Sequence, residues 1–254
     1  MERTVSVVVI TKNEERNIAA CLDSVTWADE IILVDTFSDD NTVAIARNYT
    51  EKIVQKEWPG MVGTQRNVGL AIAEGKWILF LDADERVTEE LKEELLDLVT
   101  SEKSSKIAAA AIPRKNFFFG KWLKSSYPDY TQRMLKKGAG AFNEISGHGF
   151  DTLVVEGRAI KLKNPLLHFT GEKLAQRLLK LDFDSGLQAD EKFRAGERVG
   201  GFGILAHSLF AFFRVYVMKK SIFEGTRGLI YACLASFNTF MKYAKLWERY
   251  QSGK

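Results

Sequence analysis

The chain has 254 residues, of which 46% are hydrophobic and 27% are charged, and its formal net charge is +3. The length suits one large domain or one domain with an appendage, and the composition is that of an ordinary globular protein. The net charge is too small to indicate a nucleic-acid-binding protein, although it allows a local basic surface facing anionic lipids or phosphorylated substrates.

The two cysteines and the first residues bear on the compartment. Cys21 and Cys233 are far apart in sequence and each lies in an apolar helical context. This predicts buried free thiols and a reducing compartment. The N-terminal residues contain no apolar signal-peptide core, and no run of eighteen uninterrupted apolar residues occurs. We therefore expect a cytoplasmic protein without a membrane-spanning helix.

Strands and helices alternate through the first hundred residues. Apolar runs predict strands at residues 5–10, 31–34, 52–55 and 76–81. Apolar residues at helical spacing predict one helix that carries Ile18, Leu22 and Val25, and further helices at 41–48, 63–73 and 88–99. This order predicts an α/β fold with a doubly wound, mostly parallel sheet and helices on both faces.

The rest of the chain divides into an irregular part and a helical part. A loop at 101–106 and a strand at 107–113 precede a segment rich in aromatic residues, 114–170, with short strands near 132–136, 153–156 and 160–163. From residue 173 to the end the pattern is helical. We therefore expect a domain over 1–170, with halves at 1–100 and 107–170, and a helical extension over 171–254.

Two carboxylates follow the strand at 76–81 and are the strongest indication of chemistry. Asp82 and Asp84 flank the small residue Ala83 at the end of this apolar strand. Open α/β sheets place their ligands at such strand ends. Carboxylate oxygens suit Mg²⁺ or Mn²⁺, which take a few protein oxygens together with phosphate oxygens of a substrate. An isolated pair of this kind can equally be a solvated turn. The polar residues at the ends of the other strands decide between a ligand site and such a turn.

Polar residues follow the first two strands as well. They are Thr11, Asn13 and Glu14 after the first strand, and Asp35 and Ser38 after the second. Because parallel strands end at one edge of a sheet, these residues and the two aspartates predict a nucleotide pocket.

Each of these residues has a proposed role and a simpler alternative. Asp35 can hold a base or ribose, or can merely solubilise its loop. The helix N-termini near Asn13 and Asn41 can offer backbone N–H groups to phosphate, or the two asparagines can be helix caps. Arg66 can reach a diphosphate, or can be a surface helix residue.

Four motifs carry a family resemblance. They are VVITKNEE at 8–15, ILVDTFSDDNT at 32–42, QRN at 65–67 and LDADE at 81–85. Together they resemble the family 2 glycosyltransferases of the GT-A fold. The segments at 127–134, 165–169 and 242–248 are similar to those of bacterial lipopolysaccharide core β-glucosyltransferases.

The resemblance implies roles for the matching residues. Thr11, Asn13, Glu14, Asp35 and Ser38 match nucleotide contacts. Asp82 matches the acid near the ribose or sugar of the donor, with Ala83 beside it, and Asp84 matches the acid that binds Mg²⁺ or Mn²⁺. His168 matches a histidine that completes the metal site or touches the diphosphate; its alternative is a capped histidine at a strand end.

The catalytic base is the point at which the sequence departs from this pattern. The subgroup carries His-Glu before a Leu-x-Val-x-Gly segment, whereas no glutamate follows His148 here. Asp151 is the first candidate for the general base and Glu144 the second. Asp129 is the third, although pairing with Arg133 would make it a loop-ordering residue.

The implied function is metal-dependent, inverting transfer of a sugar, glucose by resemblance, from a UDP-sugar to a saccharide or glycolipid acceptor of the lipopolysaccharide inner core. A peptide or exopolysaccharide lipid-carrier acceptor, and a non-catalytic nucleotide-sugar-binding protein, stay open as alternatives. The basic and apolar residues of 171–254 predict either contact with the cytoplasmic face of the inner membrane or internal packing and homo-oligomerisation. No nucleic-acid partner is expected.

Overall fold

The computed structural model describes residues 4–57, 62–143, 152–170 and 174–252. These residues form two compact units. The first unit contains the described residues of 4–115, 128–143 and 152–169, and the second contains those of 116–127 and 170–252. The predicted boundary at 170 is close to the start of the long C-terminal stretch of the second unit, which also includes 116–127.

Four parallel strands form the centre of the first unit. They are β1 (Val5–Thr11), β2 (Glu30–Asp35), β3 (Ile53–Gln55) and β4 (Trp77–Asp82), in the order β3-β2-β1-β4. The apolar runs of β1, β2 and β4 are buried because both faces of the sheet are covered, whereas β3 at the edge is only half-buried. Along β1, Val7 and Val9 face one apolar cluster and Val8 faces the other.

Helices α1 (Ile18–Asp23), α2 (Thr42–Ala46), α3 (Val62–Ile72) and α4 (Glu89–Thr100) connect and cover these strands. The side chains of α1, α2 and α4 pack into the cluster with Val7, whereas α3 packs into the cluster with Val8. At Gly69 a β-carbon would lie 2.2 Å from a Val8 methyl group, so glycine allows α3 to approach the sheet closely. The predicted α/β fold with helices on both faces is confirmed.

Further strands extend the sheet. They are β5 (Glu85–Val87), β6 (Ala109–Phe118), β7 (Lys121–Trp122), β8 (Asp129–Lys136), β11 (Ala159–Lys161) and β12 (Leu166–Thr170). Strands β9 (Gly140–Phe142) and β10 (Leu153–Val155) form a separate two-stranded antiparallel sheet. Beyond β4 the order continues β8-β6-β12-β5, and β8 runs antiparallel to both β4 and β6. The sequence predicts neither β5 nor β12, and the loop predicted at 101–106 is a 3-10 helix, Glu102–Lys106.

The second unit is mainly helical, as predicted. It contains α5 (Leu174–Arg194), α6 (Gly201–Phe213), a π-helical turn (Arg214–Met218), a 3-10 helix (Ser221–Glu224) and α7 (Thr226–Ser252). Lys245 Nζ contacts Asp182 Oδ1 at 2.7 Å, and Ser236 Oγ donates to the Ser208 carbonyl at 2.8 Å. Helix α7 therefore packs against both α5 and α6.

The expectation for one of the two cysteines was wrong. Cys21 is buried as predicted, but Cys233 is exposed and lines an apolar groove between α5 and α7. The segment Gly201–Met218 is long and apolar enough, by length and composition, to cross a membrane. His207, Ser208 and Arg214 lie within this segment, so it is not an uninterrupted apolar run.

Candidate active site

The carboxyl ends of β1, β2 and β4 meet at one edge of the sheet. The strand register pairs Thr11 with Asp35 and Ile10 with Asp82. The structure thus brings together the strand-end residues that the sequence predicts as a pocket. Ala83, which follows Asp82, is buried.

The loops after β1 and β2 are held together by hydrogen bonds. The Asn13 N–H donates to Ser38 Oγ at 2.9 Å, and the Asp39 N–H donates to Asn13 Oδ1 at 3.0 Å. The Glu14 N–H donates to Thr42 Oγ1 at 2.8 Å. Asn13 has a φ of 55°, a left-handed conformation that asparagine tolerates better than most residues. Asn13, Glu14 and Ser38 therefore order the rim of the predicted pocket.

The expectation of a helix N-terminus at Asn13 was wrong, whereas Asn41 is the N-cap residue of α2. Helix α1 begins at Ile18, so Asn13 lies in a loop before the helix. The N–H groups of Asn13 and Glu14 already donate to side chains of the second loop. The Asn41 N–H likewise donates to Glu15 Oε2 at 3.3 Å.

Asp35 is fully buried and accepts three hydrogen bonds. The donors are the Ser38 N–H at 2.9 Å, Ser38 Oγ at 2.5 Å and Gln55 Nε2 at 2.9 Å. The carboxylate therefore orients the loop after β2 and the end of β3. Sequence reasoning missed Gln55, because the pairing of β3 with β2 is what places it beside Asp35.

Phe37 is a second residue that sequence reasoning missed. Its side chain is 53% exposed and its φ is 51°, a conformation that is uncommon for an aromatic residue. Strained backbone of this kind tends to occur at ligand sites. The signal in the sequence was an aromatic residue inside a polar loop, between Asp35 and Ser38.

Asp82 forms ion pairs with two buried arginines. Its Oδ1 lies 2.5 Å from Arg66 Nη2 and its Oδ2 lies 2.6 Å from Arg133 Nη2. Arg66 is therefore an interior residue and not a surface helix residue. Desolvation lowers the pKa of Arg66 to about 10, with repulsion from Arg133 as a further cause. Burial alone would raise the pKa of Asp82, but the charges of Arg133 and Arg66 outweigh it and hold that pKa well below its usual value.

Glu85 completes this charged cluster, although it was not among the predicted site residues. It is fully buried and accepts a hydrogen bond from Arg133 Nη2 at 2.7 Å and from the Asp82 N–H at 3.0 Å. Burial would lower the pKa of Arg133, but Asp82 and Glu85 together raise it. Glu85 thus fixes both the arginine and the backbone of the predicted metal motif.

Asp84 and His168 lie side by side. Asp84 Oδ2 is 3.3 Å from His168 Nε2, and the pairing of β12 with β5 places His168 opposite Glu85. Two ligands at right angles, each about 2.1 Å from one ion, would lie roughly 3 Å apart, so the pair fits an octahedral cation. Within the described ranges no group of three or more metal-ligating side chains occurs. Two protein ligands suit Mg²⁺ or Mn²⁺, since these ions take further oxygens from phosphate and water.

The base candidates differ in their placement. Asp129 Oδ2 accepts from Arg114 Nε at 3.1 Å and Nη2 at 2.7 Å. The expected pairing of Asp129 with Arg133 was therefore wrong, because Arg133 is directed to Asp82 and Glu85. Asp151, Glu144 and His148 lie outside the described residues.

The fold and this strand-end cluster define the GT-A class of nucleotide-sugar enzymes. The chain belongs to glycosyl transferase family 2, since residues 6–150, more than half of its length, match the family described as "Glycosyl transferase family 2". It is 29% identical to an uncharacterized glycosyltransferase of Rickettsia bellii, over 98% of this chain and 87% of the relative. It is 26% identical to the lipopolysaccharide core biosynthesis glycosyltransferase LpsC of Rhizobium meliloti, over 96% of this chain and 92% of LpsC.

Solved structures share the fold. Staphylococcus aureus TarS (residues 1–349), in complex with UDP-GlcNAc, is similar with a TM-score of 0.52 at 16% identity, over 99% of this chain and 92% of TarS. Glucosyl-3-phosphoglycerate synthase of Mycobacterium tuberculosis, in complex with phosphoglyceric acid, has a TM-score of 0.51 at 19% identity, over 78% of this chain and 82% of the synthase. The same synthase in complex with Mn²⁺, UDP-glucose and phosphoglyceric acid has a TM-score of 0.50 at 19% identity, with the same coverage.

Proposed function

We propose that this family 2 glycosyltransferase transfers glucose from UDP-glucose, with Mg²⁺ or Mn²⁺, to a saccharide of the lipopolysaccharide inner core, with inversion at the anomeric carbon. The observation that carries the proposal is the pair of Asp84 and His168 next to an aspartate held by two buried arginines. Mn²⁺ and UDP-glucose in the synthase of similar fold support the choice of metal and donor. The likeness to LpsC supports the acceptor.

The donor site is proposed at the ends of β1, β2 and β4. Thr11, Asn13, Glu14, Asp35 and Ser38 shape the nucleoside side of the pocket, and the exposed ring of Phe37 offers a surface on which a base can stack. Asp82 faces the ribose or sugar. Its negative charge persists at neutral pH because Arg66 and Arg133 stabilise it.

The diphosphate side rests on Asp84 and His168. These residues would hold the cation, which as a Lewis acid would neutralise charge on the leaving diphosphate. Arg66 and Arg133 neutralise Asp82 and Glu85 beside this point, so that these two carboxylates do not repel the diphosphate. Glu85 keeps Arg133 from turning away, so the positive charge stays beside the donor.

The acceptor hydroxyl needs a base. Asp151 is our first candidate and Glu144 the second, and either would accept the hydroxyl proton as that oxygen attacks the anomeric carbon from the opposite face. General-base help of this kind contributes about 10²–10⁴-fold in rate. Asp129 is the weakest candidate because Arg114 already engages its carboxylate.

The test is release of UDP from a panel of UDP-sugars, with and without Mn²⁺ or Mg²⁺, with Asp84→Asn as the control. Metal-dependent release from UDP-glucose alone would support the donor, and addition of deglucosylated core saccharide should then accelerate it. Metal-dependent UDP binding without turnover on any core saccharide would contradict the acceptor and favour a peptide or lipid-carrier acceptor, or a non-catalytic nucleotide-sugar-binding protein. We further propose that the protein is cytoplasmic and attaches to the membrane surface through its second unit.

A further inference from the structure

Helix α6 and the π-helical turn after it carry an exposed apolar surface. Their inner side, with Ser208, Ala211 and Val215, is buried. The opposite side exposes Phe202, Leu205, Leu209, Phe210, Phe213 and Val217, each at least 47% exposed, and we call these six residues the α6 surface. Residues 202, 205, 209, 213 and 217 recur every three or four positions, and Phe210 lies beside Leu209, so the six form one continuous stripe. A helix that exposes its apolar stripe to solvent marks an interaction site.

Along the chain, the charged residues between Glu197 and Glu224 have one sign. From Arg198 to Phe223 the sequence contains no aspartate or glutamate, whereas it contains Arg198, Arg214, Lys219 and Lys220. The next acid, Glu224, accepts hydrogen bonds from the N–H and Oγ of Ser125, at 2.8 and 3.0 Å. The apolar stripe is thus flanked by cations, a combination that suits a surface with an apolar interior and anionic groups at its boundary.

We propose that the α6 surface inserts into the headgroup layer of an anionic membrane, with Arg214, Lys219 and Lys220 on lipid phosphates. Charge argues against a second copy of the chain as the occupant. A two-fold contact through this stripe would bring these cations towards their own copies, with no acid between residues 198 and 223 to compensate. An anionic bilayer supplies the missing negative charge.

The residues of α7 that pack behind α6 indicate that α6 lies in the plane of the membrane. The 18 residues of Gly201–Met218 span roughly 27 Å at 1.5 Å per residue, which is close to the thickness of a hydrocarbon core. Only 17% of these residues are buried within the protein. The His207 ring stacks on the Tyr243 ring of α7, with centroids 4.4 Å apart. Lys242 Nζ lies 4.8 Å from the centroid of the Tyr243 ring. A crossing helix would carry this ammonium group into hydrocarbon, which is costly. An orientation along the surface immerses the stripe and leaves α7 in water.

Vesicle sedimentation tests the proposal with matched leucine variants. Leu205→Asp and Leu209→Asp place a charge on the α6 surface, and Leu179→Asp places one at an even more exposed leucine of α5, outside that surface. The wild type and Leu179→Asp should sediment with phosphatidylglycerol vesicles, more weakly at high salt, and only slightly with phosphatidylcholine vesicles. Each α6 variant should lower the partition coefficient about tenfold.

A charge variant keeps the test decisive if the leucine variants misfold. Lys219→Glu combined with Lys220→Glu alters two exposed side chains and should weaken binding to anionic vesicles while leaving binding to phosphatidylcholine unchanged. Wild-type protein that does not sediment with anionic vesicles would overturn the proposal. So would a wild-type dimer in solution that Leu205→Asp converts to a monomer.

The inference does not depend on the proposed donor or acceptor, and the two can fail separately. Metal-dependent UDP binding, measured without vesicles, should be the same for Leu205→Asp and the wild type. Loss of vesicle binding with UDP binding retained supports the proposed surface, whereas full vesicle binding by both α6 variants contradicts it, whatever the sugar.

Discussion

Arg133 uses one nitrogen, Nη2, to contact both Asp82, at 2.6 Å, and the fully buried Glu85, at 2.7 Å. The strand that carries Arg133, β8, runs antiparallel to the strand that ends in Asp82. The antiparallel half of the sheet therefore supplies the charge that positions the predicted metal motif of the parallel half.

Removing this arginine should destabilise the protein strongly. Arg133→Met leaves Glu85 buried without its main partner, and we expect the free energy of unfolding to fall by about 3–5 kcal/mol. Lys92→Met is the control, since its ion-pair partner Glu89 is 80% exposed, and it should cost about 1 kcal/mol or less. Urea denaturation measures both, and equal losses would show that the Arg133 cluster is not a buried ion-pair network.

The same cluster predicts a dependence of stability on pH. The pKa of Asp82 is lowered on folding, so its stabilising contribution is complete above about pH 4 and is lost as the pH falls through the lower, folded-state value. Asp82→Asn lacks this contribution. Thermal melts should show a wide gap between the two proteins at pH 6 and a narrower one at pH 2–3. A gap that stays constant would mean that Asp82 titrates alike in the folded and unfolded protein.

Phe37 should contribute to nucleotide affinity through its ring. Phe37→Asn keeps a residue that tolerates positive φ but removes the stacking surface, so UDP binding should weaken by about 1–3 kcal/mol. Phe119→Asn is a closely matched control, because Phe119 is also exposed and has a φ of 48°. Calorimetric titration with UDP separates them. Unchanged affinity in Phe37→Asn would exclude stacking on this ring.

His168 should hold the cation together with Asp84. His168→Ala should weaken Mn²⁺ binding by at least the roughly 10–100-fold that loss of an outer-shell partner costs. His207→Ala, which removes a histidine that stacks on Tyr243, should leave Mn²⁺ affinity unchanged. Electron paramagnetic resonance of free Mn²⁺ in the presence of UDP reports this affinity. If the two variants bind alike, His168 is only a structural neighbour of Asp84.

The general base can be assigned by rate. Asp151→Asn should lower kcat about 10²–10⁴-fold with UDP affinity retained, whereas Asp129→Asn should change kcat little. Glu144→Gln is the alternative, and a large loss of kcat there with normal turnover in Asp151→Asn would transfer the role to Glu144.

The central part of the fold could be predicted because its signals are local. The apolar runs of β1, β2 and β4 are buried on both faces, and the strand end at Asp82 follows from where the run stops. The partners of Asp82 could not be predicted, since Arg133 follows it by 51 residues and reaches it only through the antiparallel pairing of β8. Glu85 was missed because β5 has only three residues.

Hydrogen bonds between the loops after β1 and β2, and the packing of α6 against α7, account for the other errors. The N–H groups at Asn13 and Glu14 looked available because the sequence does not show that Ser38 and Thr42 accept from them. The exposure of α6 depends on which of its faces α7 covers. Its hydrophobicity alone could not distinguish a core helix from one that presents its stripe outward.

The most direct test is the affinity for UDP, measured by calorimetry with and without Mn²⁺ in the wild type, in Asp84→Asn and in Asp97→Asn, which changes an exposed aspartate of α4. We predict that Mn²⁺ strengthens UDP binding at least tenfold in the wild type and in Asp97→Asn, and that Asp84→Asn abolishes this gain. UDP binding that ignores Mn²⁺ in the wild type, or a full Mn²⁺ effect in Asp84→Asn, would contradict a metal-bridged diphosphate at the end of β4.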